Sequence, residues 1–85
     1  MPKEDFQELA SITDVDGVVQ AVITYRNKSD GSRMLSVAFL RTFDDNGQSR
    51  RTPWCSRRHL DAIVRLVPRV KEYLQVEENK TKKGV

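Results

Sequence analysis

The sequence contains one cysteine, Cys55, so no internal disulfide can form, which suits a reducing compartment. Histidine is equally scarce: His59 stands alone. Cys55 and His59, four residues apart, supply two metal ligands where a structural zinc takes four, so no metal site is expected. As a nucleophile and base the same pair lacks an orienting third group. Cys55 reads more simply as a small hydrophobe. No glycine-rich phosphate loop or dinucleotide fingerprint is present. We therefore expect neither an enzyme, nor a cofactor, nor a small-molecule substrate. No apolar run exceeds a few residues, too short to span a membrane. The opening "MPKEDFQ" lacks the apolar stretch of a signal peptide. These absences give a cytoplasmic or nucleoid location as the expectation.

What the chain does have is charge, unevenly placed. Its 85 residues carry a net +3. Residues 1–17 hold Lys3 against five carboxylates, a net −4, which leaves +7 for the remainder. The stretch "QSRRTPWCSRRH" (48–59) has four arginines and no acid. A concentrated basic zone suggests a polyanionic partner, against the plainer reading of a solvated basic surface.

Three Asx-Gly pairs punctuate the first half: Asp16–Gly17, Asp30–Gly31 and Asn46–Gly47. Such pairs adopt the positive φ values of a type I′ hairpin turn. Between them lie β-forming segments at 18–27, 33–43 and 48–55, the last limited by Pro53, which cannot donate to a ladder. "FQELASIT" near the N-terminus fits a further strand, and also a single helical turn. Alternation buries the odd positions Val19, Ala21, Ile23 and Tyr25, together with Leu35, Val37 and Phe39. The other face, with Val18, Val22, Met34 and Leu40, is half apolar and asks for a cover.

From Ser56 the period becomes helical: Leu60, Ile63, Val64, Val67, Val70 and Leu74. Ser56 is a suitable N-cap, and Pro68 predicts a kink. The apolar period ends near Gln75. The reading is thus a single α+β domain over 1–76, an antiparallel meander of three to four strands followed by one C-terminal helix packed on the sheet. Residues 77–85 are expected as a flexible basic tail. A chain this short has a modest core, so a homodimer is expected.

The chemistry that remains is arginine and aromatic. Arg26, Lys28, Arg33, Arg41, Arg50, Arg51, Arg57 and Arg58 lie on or beside the elements, with Tyr25, Phe43 and Trp54 among them. Single-stranded nucleic acid is held by a basic groove and by aromatics on which bases stack. Tyr25 and Phe43 also fit the edge of the core, and Trp54 fits either a cap on the core or an exposed platform. Arginine is mildly unfavourable at a helix N-terminus. An anion there would reverse the sign, since the arginine pair and the free amides converge on it. The alternative is an Arg57–Asp61 surface pair.

A basic, aromatic-dotted sheet followed by a helix resembles the transcriptional coactivator positive cofactor four and the Whirly-type single-strand binders over roughly residues 6–75. That resemblance implies a dimer holding single-stranded DNA on curved sheets. The chain also resembles a group of short bacterial, plasmid and phage proteins of no assigned activity. The shared pattern is Tyr25-Arg26-Asn27, Val37, Arg41, Phe43, Asp45, Gly47, Thr52, then Arg57 and Leu60. The chain departs from it at Ser49, where a tryptophan is expected, and at Arg58–His59, where acids are usual. The first departure removes a stacking residue from the third of the clear strands unless Trp54 replaces it. The sequence thus points to a DNA-binding, specifically single-strand-binding, module with Tyr25, Arg26, Lys28, Arg33, Arg41, Phe43, Arg50, Arg51, Trp54, Arg57 and Arg58 as contacts. The alternative is a protein-interaction module, a small regulator or phage-type inhibitor, that meets an acidic protein surface.

Overall fold

A computed structural model describes residues 6–83, with side chains to residue 80. Residues 1–5 and 84–85, the extremities of the expected N-terminal segment and tail, lie outside the described residues. Four strands form one antiparallel sheet in sequential order: β1 (Gln7–Thr13), β2 (Val19–Asn27), β3 (Arg33–Asp45) and β4 (Gln48–Thr52). One helix, α1 (Arg57–Lys83), follows. The N-terminal segment is a strand, with Leu9 bulged between Glu8 and Ala10. β4 stops at Thr52, one residue before Pro53, as the missing amide of proline requires.

The three turns are not alike. At Asn46–Gly47 both residues have positive φ, 53° and 86°, the two-residue turn that matches strand twist. The other two are longer loops in which the aspartate side chain does the work. Asp16 Oδ1 accepts the Val18 amide at 2.8 Å, and Asp30 Oδ1 accepts the Ser32 amide at 2.9 Å. Gly17 and Gly31 each close an i→i+3 bond, to the carbonyls of Asp14 and Lys28. The expected type I′ geometry holds only at Asn46–Gly47, because local Asx bonding wins at the other sites.

The buried core is small. Val19 and Ala21 of β2 meet Ala62, Leu66 and Val70 of α1, with Ile12, Val37, Phe39, Ile63 and Leu74 packed against them. Odd positions of β2 and β3 therefore face the helix, as alternation predicts. The helix lies mainly over β2, touches β1 and β3 lightly and does not reach β4. Consequently every apolar residue of β3 remains only partly covered or exposed.

The opposite face differs from expectation. Val22 is buried there, only 5% exposed. Arg51 on β4 reaches Glu8 on β1 at 3.3 Å across that same face. Side chains of the two edge strands thus meet over this face, as a twisted sheet allows, and Val22 beneath is shielded from solvent.

The helix also departs from the sequence reading. It continues past Gln75 to Lys83. Glu77 anchors this extension, with Arg33 of β3 at 3.3 Å and Lys80 one turn on at 3.2 Å. Pro68 lies inside the helix on its exposed side, where the carbonyl that proline leaves without a donor faces solvent rather than the core.

Candidate functional site

β3 and β4 carry the candidate side chains on alternate faces. Register pairs Arg41 with Thr52 and Phe43 with Arg50, which puts Arg41, Phe43 and Arg50 on the helix side of the sheet. That side is the half α1 leaves uncovered. Arg41 stacks 5.8 Å from the Phe43 ring centroid. Its Nε donates to the Trp54 carbonyl at 2.9 Å, fixing the link between β4 and α1. The Trp54 amide in turn donates to Thr52 Oγ1 at 3.3 Å. Trp54 is held by its backbone while its side chain stays out: the residue is 78% exposed. An indole that open contributes little to the core and is available as a stacking surface. Arg50 is paired with Asp45 at 2.7 Å, an exposed pair worth little.

The helix start follows at once. The expected cap, a Ser56 hydroxyl accepting a free amide, is replaced by another arrangement. His59 Nδ1 accepts the Ser56 amide at 3.0 Å, and Ser56 Oγ lies 3.0 Å from the same nitrogen. The His59 amide donates to the Ser56 carbonyl at 2.9 Å. His59 thus occupies the reciprocal position that Glu or Gln takes in a capping box. Arg57 does not pair with Asp61, and among the described residues neither Arg57 nor Arg58 has an ion-pair partner.

Beneath the helix start opens a cleft of about 470 Å³. Arg41, Arg58, His59 and Arg65 line it with Asp16, Asp61, Val18 and Thr42. Arg65 is committed to Asp14, whose carboxyl is drawn down to about 2, chiefly by that guanidinium. Arg65 and Thr42 escaped the sequence reading. The legible signal was the seven-residue spacing from Arg58 to Arg65, which sets both on one helix flank.

The remaining candidates do not join this cluster. Tyr25 and Arg33 sit at the far end of the sheet. Arg33 stacks 4.9 Å from the Tyr25 ring and pairs with Glu77, while the Tyr25 hydroxyl donates to Gln7. Arg26 and Arg51 lie on the opposite face, Arg26 over the Phe6 ring at 5.1 Å and Arg51 on Glu8. Lys28 is exposed in the β2–β3 turn. Of the eleven candidates, Arg41, Phe43, Arg50, Trp54 and Arg58 are linked through Arg41 and the β3–β4 ladder, Arg57 follows at the exposed helix start, and the others are scattered.

Cys55 is half-buried, and the described residues contain no cluster of three or more His, Cys, Asp or Glu able to hold a metal. Among the described residues, no helix is long and apolar enough to cross a membrane. No protein-family profile matches the chain, and no curated protein or solved structure is significantly similar to it.

Proposed function

We propose that this chain binds single-stranded nucleic acid, DNA in the first instance, along the open helix-side half of β3–β4 and the start of α1. The supporting observation is Trp54: a lone tryptophan, 78% exposed, tethered through its carbonyl to Arg41. Arg41 also stacks on Phe43, which faces Arg50 across the β3–β4 ladder, and shares the cleft beneath the helix start with Arg58. Bases stack on the indole while the guanidinium groups take phosphates, the combination by which single strands are held without sequence reading. Arg58 contributes its charge at an amide-rich helix start, which favours a phosphate there. The scattered arginines stay outside the track by position: Arg33 lies at the far end of the sheet and Arg51 on its opposite face. Such a role fits a cytoplasmic or nucleoid protein.

Fluorescence anisotropy with labelled oligo-dT, oligo-U and a duplex, each across a salt series, tests this reading. Binding to oligo-dT that exceeds duplex binding supports it. An acidic protein surface would engage the same arginines but would not require a stacking ring. Failure of the parent to bind any oligonucleotide at low salt would therefore transfer the basic cluster to that second reading.

A further inference from the structure

One flank of α1 is apolar and uncovered. Leu60 is 51% exposed, Val64 67% and Val67 39%. The opposite flank is tied toward β1, through Arg65 to Asp14 and Arg69 to the Thr13 carbonyl. Leu60, Val64 and Val67 therefore overlook β3, where Val37 and Phe39 are only half-covered. Leu60, Val67 and Leu74 recur every seven residues along this flank with Val64 beside them, while Ile63 and Val70 turn into the chain's own core. That is the apolar repeat of a helix that packs lengthwise against another helix. Charge flanks the stripe asymmetrically. Arg57 stands at its N-terminal end and Glu78 at its C-terminal end, both exposed, and neither has an ion-pair partner among the described residues.

We propose that this flank of α1 is the interface of a homodimer, with the helices of two copies antiparallel about a two-fold axis at Val67. A two-fold interface must be self-complementary. This stripe meets that condition in one register. Val67 meets its own copy, and Leu60 lies against Leu74 of the second copy. Val64 falls beside the aliphatic stem of Lys71. The same register brings Arg57 beside Glu78 twice, once at each end. Antiparallel helices also place opposite dipole ends side by side. A parallel pairing would instead bring Arg57 against Arg57 and Glu78 against Glu78. The occupant that both the apolar repeat and the charges select is therefore a second copy of this chain. Its helix lies beside the partly covered residues of β3, the half of the core that one copy leaves open.

Sedimentation equilibrium of the nucleic-acid-free protein, at micromolar concentration and upward, reads the dimer directly. The parent should be dimeric and Val67→Lys monomeric, because that change puts two ammonium groups at the axis. Val67 is exposed in the single copy, so far-UV circular dichroism should show an unchanged fold. Arg57→Glu should weaken the dimer, and the double variant Arg57→Glu/Glu78→Arg should restore it. In a Cys55→Ser background, a short bismaleimide should link Val67→Cys into a covalent dimer far faster than Val76→Cys, which is exposed elsewhere on the helix. A monomeric parent would overturn the proposal. So would a dimer that survives Val67→Lys, or equal cross-linking at the two positions, either of which would locate the contact elsewhere.

Discussion

Arg65 grips the carboxylate of Asp14 at both oxygens, Nε on Oδ1 at 3.1 Å and Nη2 on Oδ2 at 2.6 Å. The Asp14 side chain is 1% exposed and sits at the close of β1, while Arg65 comes from the third turn of α1. This fork joins the start of the meander to the helix that covers it. A bidentate, charge-assisted contact to a buried acid is stronger than an exposed pair.

Acid should weaken the fold through this contact. The Arg65 hydrogen bonds, helped by the amides of Asp16 and Val15, outweigh burial and lower the Asp14 carboxyl from 3.8 to about 2. A carboxyl with a depressed folded value contributes stability that is complete above the unfolded value and disappears as pH falls. Thermal melts should therefore show a loss of stability between 3.8 and about 2. Asp14→Asn should melt lower near neutral pH and should lack most of that acid-dependent step. A parent melting temperature that stays flat through this window would show that the contact does not hold in solution.

The helix start makes a second prediction. His59→Ala removes the acceptor of the Ser56 amide and should cost about 1 kcal/mol, the usual scale of a missing cap. His59→Gln should retain most of it, since Gln is a regular partner at this position. Chemical denaturation of the two variants distinguishes capping from packing. Equal losses for both would mean that the imidazole ring, rather than its acceptor nitrogen, supports the helix.

Much of this fold was readable because its signals are local. Alternation in 18–27 and 33–43 gave strands and faces, and Pro53 set the end of β4. Asn46–Gly47 gave a true type I′ turn. What was not readable depends on partners distant in sequence. Val22 looked like uncovered surface, since nothing local says that the side chains of Glu8 and Arg51, 43 residues apart, will meet over that face. The helix was expected to fade near Gln75 because its apolar period stops there. Charge pairs at Glu77 carry it further. In the candidate site, residue types identified a basic-aromatic set and alternation set Arg41 and Phe43 apart from Arg26, but only register separated Arg50 from Arg51.

That separation is itself testable. Arg50→Ala and Arg58→Ala should each weaken oligo-dT binding and flatten its salt dependence, by about 0.7 in log–log slope for each phosphate no longer neutralised. Arg51→Ala, on the other face, should leave the slope unchanged. Anisotropy titrations at several salt concentrations read all three. If Arg51→Ala flattens the slope as much as Arg50→Ala does, the strand runs over the opposite face and the assignment is wrong.

The most direct measurement is the affinity of the parent and of Trp54→Ala for labelled oligo-dT, across a salt series. Stacking is not ionic, so the variant should lose about 1–3 kcal/mol of binding while keeping nearly the parent slope. The indole is exposed, so the variant's melting temperature should not fall. Equal oligo-dT affinity for Trp54→Ala and the parent would contradict the account, because the exposed tryptophan would then have no part in holding the strand.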